Sequence, residues 1–153
     1  MLETTPTSEA KAALAYLGSK LSGLKNADCK DLCSHALQAL APRSNIFNRE
    51  EAVYRRELAE VLDATKDTDG AIKLIIGITY DANEDNEQVE KKVEDFLRLA
   101  EMFHDKEDST QAEVYVNRVA HIIYKVDKRE TQLRYNLAST KCADSKREFV
   151  RAA

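Results

Sequence analysis

Tryptophan is absent from this 153-residue chain, and glycine and proline together fill only six positions, about a third of their share in an average protein. Turn-dense all-β folds need many more of these residues. Collagen-like and Pro/Gly-rich disordered chains are excluded outright. No run of 18 apolar residues is present, so no segment has the length of a transmembrane helix. The first nine residues carry Glu3 and Glu9 and lack a basic stretch ahead of an apolar core, so they do not read as a secretory signal. Three cysteines, an odd number, fit a reducing compartment with free thiols, which points to cytoplasm or nucleus. There is no surplus of positive charge. The net charge is −4, which argues against general nucleic-acid binding.

What is present is a charged, apolar-striped composition: 33% charged and 43% hydrophobic residues, enough for a core under a very soluble helical surface. Ala10, Leu14, Leu17, Leu21 and Leu24 follow helical spacing, with Thr7 or Ser8 as N-cap. Cys29, Leu32, Cys33, Ala36, Leu37 and Leu40 form a second stripe that Pro42 ends. Asn48 can cap a third helix with Tyr54, Leu58, Val61 and Leu62, and Asp67 or Asp69 a fourth with Ala71, Leu74, Ile75 and Ile78. The run Ala71 to Ile78 is apolar enough for a buried strand, but no second such run exists to pair with it, so it reads as a buried helix. Val89, Val93, Phe96, Leu97, Ala100 and Phe103 make the cleanest stripe. Ser109 precedes a sixth helix with Ala112, Tyr115, Val116, Val119 and Ile123. Leu133, Leu137 and Cys142 mark a seventh, and an eighth is expected from Lys146 onward.

The helices repeat. Ala71 and Ala112 open similar amphipathic runs 41 residues apart, and Ala152 lies 40 further on. Each small residue follows a turn and a longer helix, so the unit is helix, short turn, helix. A small side chain lets two antiparallel helices approach, and larger residues three and four positions later fill the next groove. The repeat-packing positions are Ala71, Leu74, Gly77, Ala112, Tyr115, Val119 and Ala152. Such units bury their faces by stacking. The expected fold is an all-α, α-α superhelix of the tetratricopeptide-like or HEAT-like kind with about eight antiparallel helices. Residues 1–47 form an N-terminal helical segment and 48–153 the repeats. An ordinary helical bundle is the alternative.

Chemistry-bearing patterns are sparse. Cys29 and Cys33 share one helix face, but a closed zinc site needs four ligands and His35 points away from them; on an apolar stripe they act as small hydrophobes. His104 suits a helix C-terminus, and His121 sits beside an apolar face. No nucleophile elbow, Walker loop or dinucleotide fingerprint occurs. No catalytic, metal or cofactor residue is assigned and no cofactor is expected. Charge is segregated: Asp81 to Glu94 holds six acids and two lysines, and Lys125 to Arg151 eight basic residues and four acids. These read as alternating solvated faces, or as acidic and basic docking surfaces. Tyr124 and Tyr135 within the basic segment keep an RNA-associated module open as an alternative, weakened by Asp127, Glu130, Asp144 and Glu148.

Four runs, in order and spacing, carry a resemblance: Leu40-Ala41-Pro42-Arg43 with Ile46-Phe47; Asp69-Gly70-Ala71-Ile72-Lys73-Leu74-Ile75-Ile76-Gly77-Ile78; Gln111-Ala112-Glu113-Val114-Tyr115-Val116-Asn117-Arg118; and Arg147-Glu148-Phe149-Val150-Arg151-Ala152-Ala153. From about Ala36 on, the chain resembles the N-terminal helical-repeat region of the COP-nine signalosome fourth-subunit family, which is related to a non-ATPase subunit of the proteasome lid. The resemblance implies a non-catalytic scaffold that uses an N-terminal arm for protein–protein interaction. The complex removes the modifier Nedd from cullin-RING ligases with a zinc metalloprotease carried by another subunit; its His-x-His motif does not occur here. The implied partners are other signalosome subunits and cullin-RING ligase components, with no small-molecule substrate, no membrane and no nucleic acid. The family continues into a PCI module with a winged helix, and the chain is expected to end within a repeat before it. Lys66, Asp67, Asp105, Lys106 and Asp108 are candidate contact residues. The equivalent proteasome-lid arm is the alternative assignment.

Overall fold

A computed structural model of the chain describes residues 7–81 and 85–152. Among the described residues there are seven α-helices and no strand: α1 (Thr7–Lys20), α2 (Asn26–Leu40), α3 (Asn48–Ala64), α4 (Thr68–Ile76), α5 (Asn86–Asp105), α6 (Ser109–Ala120) and α7 (Arg129–Ala152). Short 3-10 turns follow α1, α2 and α6. The protein is an all-α, helical-repeat structure, and the run from Ala71 is a helix as its flanks indicate, buried on one face at Ala71, Ile72 and Ile75 and exposed at Ile76. The chain divides into two compact units between Tyr80 and Asp81.

In the first unit, α2, α4 and α1 all pack against α3. Gly18 is buried against Val53, where an added Cβ would lie 3.1 Å from Cγ1, so glycine permits the close approach of α1 to α3. Tyr54, buried on α3, donates its hydroxyl to the Leu14 carbonyl of α1 at 2.9 Å. Leu21, Cys29, Cys33, Leu40, Phe47, Leu58 and Val61 complete the core. Not all of the apolar stripe is used: Leu17, Leu24 and Leu32 are exposed. Helix α1 turns Ala10 and Gly18 inward instead, because the glycine side is the one that can come close.

The second unit is the α5–α6 hairpin with α7 laid against both helices. Its register matches α3–α4 at 41 residues. The buried positions Ala52, Leu58, Ala59, Val61, Ala71, Ile75 and Ile78 correspond to the buried Val93, Leu99, Ala100, Met102, Ala112, Val116 and Val119.

The corners match bond for bond. Thr65 N–H donates to Val61 O and Lys106 N–H to Met102 O; Lys66 N–H to Asp63 O and Glu107 N–H to His104 O; Asp67 N–H to Leu62 O and Asp108 N–H to Phe103 O. This is a Schellman closure. Its left-handed residue is Lys66 (φ 65) in one corner and Glu107 (φ 61) in the other. The next residue is at once the end of the closure and the N-cap of the following helix: Asp67 accepts from Gly70 N–H and Asp108 from Gln111 N–H, both at 3.1 Å. An aspartate satisfies both demands, since its side chain caps while its backbone N–H closes the preceding helix. Asp108, and not Ser109, is therefore the cap of α6, and Asn48 is the first residue of α3 after Phe47.

The last repeat departs from this pattern. Where the 41-residue spacing predicts a corner and an eighth helix from Lys146, α7 runs unbroken to Ala152. Residues 141–152 contain no glycine or proline and no cap aspartate after a left-handed position. Ala152 thus lies within the same continuous helix as Lys146 and does not open a second; its side chain and that of Phe149 lie outside the described residues. Leu133 and Leu137 are also exposed, because α7 turns Thr131, Ala138 and Cys142 toward α5 and α6.

Adjacent corner residues are expected to respond with opposite sign. Asp67→Ala or Asp108→Ala loses about 1 kcal/mol of stability. Lys66→Gly or Glu107→Gly gains about 0.5 kcal/mol, as relief of the left-handed strain exceeds the added chain entropy. Urea denaturation of the four variants measures both.

Candidate functional site

The five sequence-derived contact residues all fall at the two corners, and all five are exposed. Lys66 and Asp67 join α3 to α4; Asp105 ends α5, and Lys106 and Asp108 join it to α6. Asp67 and Asp108 already spend a carboxylate oxygen on a cap. The structure brings the residues together within each corner.

The segregated charges pair within the second unit. Lys128 lies 2.9 Å from Glu90 and 3.7 Å from Glu94, and those carboxylates hold its ammonium above the usual lysine range. Arg134 makes a two-pronged pair with Glu101, Nε to Oε1 at 3.1 Å and Nη2 to Oε2 at 2.9 Å, which raises the guanidinium further. Lys146 pairs with Glu113 on α6. Three of the eight bases of this segment thus form part of the seam by which α7 docks on acids of α5 and α6. A polyanion would compete with an internal partner at each of these three positions.

Two cross-hairpin contacts escape the sequence. In the first hairpin the Arg55 side chain of α3 lies over Gly77, where an added Cβ would sit 2.5 Å from Nη1. Its guanidinium pairs with Glu51 at 2.8 Å. In the second, the residue at the register of Arg55 is Phe96 and the residue at the register of Gly77 is Arg118. Arg118 lies over Phe96 at 5.9 Å and over Tyr115 at 5.1 Å. The same pair of positions is bridged by an arginine, supplied from the other helix and resting on aromatic rings in place of glycine. Tyr115 also stacks on Phe103 at 5.7 Å. The 41-residue alignment contains this signal, but only the pairing of α5 with α6 shows that positions 96 and 118 meet.

The thiols are structural. Cys29 and Cys33 lie 3.9 Å apart in the core of the first unit. Burial pushes the Cys33 thiol up to about 12, helped by the Cys29 sulfur and the Glu57 carboxylate. Cys142 is 3.5 Å from His104 Nε2, and burial also raises its thiol. At neutral pH the Cys33 and Cys142 sulfurs are protonated and poorly nucleophilic. Among the described residues no three His, Cys, Asp or Glu side chains cluster as a metal site requires, and no helix is long and apolar enough to cross a membrane.

Two measurements follow. For Cys33, the folded value lies above the free value of 9.0. Its contribution is complete below pH 9 and is lost as pH rises toward 12, because the unfolded chain releases the proton first. The urea midpoint of the wild type should fall between pH 8.5 and 11, and Cys33→Ala should flatten that slope; the Tyr54 hydroxyl, raised by burial, leaves a residue of it. For the α7 seam, a double-mutant cycle on Glu101→Gln and Arg134→Gln should return a coupling of about 0.5 kcal/mol at low salt, shrinking as salt is added.

Comparison with known proteins fits this architecture. Residues 10–153 match the family model described as PSMD12/CSN4, N-terminal. The chain is 28% identical over 137 residues to the COP9 signalosome complex subunit 4 of Drosophila melanogaster, covering 90% of this chain and 34% of that protein. It is 25% identical over 122 residues to the subunit 4 of Emericella nidulans, covering 80% and 30%. It is 20% identical over 151 residues to that of Arabidopsis thaliana, covering 99% and 38%. The chain therefore spans about a third of the length of these relatives. With the match running through both hairpins and α7, the chain belongs to the PSMD12/CSN4 N-terminal family.

Proposed function

We propose that the chain is the N-terminal helical-repeat arm of a non-catalytic scaffold subunit of the COP9 signalosome type, working in cytoplasm and nucleus. The observation that carries the reading is the family match across both hairpins, joined to relatives that all bear the name COP9 signalosome complex subunit 4. The physics is of a matching kind. Repeated hairpins present a long surface without placing catalytic groups; the thiols are buried in packing, and Asp67, Asp108, Glu90, Glu101 and Glu113 are engaged in capping or pairing. In this reading the arm contacts other signalosome subunits and components of cullin-RING ligases through exposed charges at the corners, including Lys66, Asp67, Asp105, Lys106 and Asp108. Removal of the cullin modifier belongs to a metalloprotease in another subunit.

The test is affinity capture of the full-length parent protein from its own cells, with the retained proteins identified by mass spectrometry. Co-recovery of signalosome subunits, and of cullins with their RING partners, is the expected result. Recovery of proteasome-lid subunits would move the chain to the other branch of its family. Recovery of neither would remove the scaffold assignment. A charge reversal of the five corner residues should then reduce recovery of cullins while leaving the other subunits bound.

A further inference from the structure

In both hairpins an arginine spans the same pair of register positions, over Gly77 in the first and over Phe96 in the second, but its charge is met differently. In the first, Arg55 has its own carboxylate: Glu51, one turn earlier on α3 and buried, accepts from both Nε and Nη2 at 2.8 Å. At the matching position of α5, 41 residues on, stands Lys92. The second hairpin has therefore exchanged the internal acid for a base. Its arginine, Arg118, is exposed, and among the described residues it makes cation–π contacts and no ion pair. It sits in the last turn of α6, where the helix dipole favours a cation. The ring of Tyr115 beneath it is buried and braced by Phe103 at 5.7 Å and Phe96 at 6.0 Å. A guanidinium stacked on a fixed aromatic floor loses little freedom when it forms a two-pronged bond with a carboxylate.

We propose that Arg118, on its Phe96–Tyr115 floor, is an anchor for a carboxylate side chain in an acidic segment of a partner protein. The partner would supply the acid that Glu51 supplies internally in the first hairpin. A protein carboxylate is favoured over nucleic-acid phosphate because the counterpart arginine, at the corresponding pair of positions in the first hairpin, takes a carboxylate. This inference deepens the scaffold reading and rests on it for the identity of the partner, while the chemistry of the site is testable without one.

The probe is a ten-residue oligo-glutamate peptide titrated into the protein at low salt, with the Arg118 Nε–Hε resonance and the tyrosine emission as readouts. Saturable binding that perturbs that resonance is expected. Arg118→Gln should weaken it about tenfold or more, and Arg118→Lys about threefold, since lysine keeps the charge and loses the fork. Phe96→Leu, which removes part of the floor and leaves an apolar side chain, should weaken it less than Arg118→Gln. Circular dichroism of each variant checks that the fold is kept. Absence of saturable binding, equal binding by Arg118→Gln, or tighter binding of an oligo-uridylate of the same length would each overturn the inference. Loss of signalosome subunits from the affinity capture would instead overturn the scaffold reading and leave this binding in place.

Discussion

The structure depends on one residue doing two jobs at each hairpin corner. Asp67 and Asp108 close the helix behind them with a backbone N–H and cap the helix ahead of them with a carboxylate oxygen. Four N–H groups at a helix start and four carbonyls at a helix end lack intrahelical partners. A corner only three residues long must satisfy many of them at once. The left-handed residue before each aspartate makes the turn sharp enough for this, at a cost of about 1 kcal/mol when it is not glycine. The direction of the second helix is then set, and the fully buried alanines Ala71 and Ala112 follow four residues after the caps. Everything later in the hairpin inherits that geometry.

Electrostatics does a different kind of work in each unit. In the first, charge is used locally, as in the one-turn pair of Glu51 with Arg55. In the second, acids of α5 and α6 face Lys128, just ahead of α7, and Arg134 and Lys146 on it, over a longer span. Helix α7 contributes few buried side chains, Thr131, Ala138 and Cys142 among them, so ion pairs form much of its seam. Pairs this exposed are individually weak and sensitive to salt. The outward face of α7 keeps Leu133 and Leu137 in solvent.

The repeat was legible because it is written in burial: a small residue in a fixed register and apolar residues after it survive as a pattern at 41 residues. The cleanest stripe, on α5, is the one packed on both sides. The apolar stripes misled where helices are only partly covered. Leu17, Leu24, Leu133 and Leu137 lie on periodic stripes yet are exposed, because periodicity shows that a helix has an apolar face and not that anything covers it. The expected eighth helix failed for a related reason. The spacing reaches Ala152, but among the described residues the Asp cap and left-handed residue that make a corner are missing there. Charge segregation was visible as well, while its meaning required knowing that α7 lies on α5. The Arg55–Gly77 and Phe96–Arg118 exchange is the least legible, since it keeps an arginine across a pair of positions and neither residue.

Native-state hydrogen exchange, read at single amides, tests the corner account most directly. The Asp67, Gly70, Asp108 and Gln111 N–H groups lie at helix ends, where exchange is ordinarily fast. If the two corners are equivalent closures that hold their hairpins, these amides are protected, to a similar degree in both corners, and more than the exposed turn amides of Leu24 and Ile46. Exchange at unprotected rates in either corner would contradict the account, and would show that packing of the helices, and not the aspartate closure, sets the hairpin.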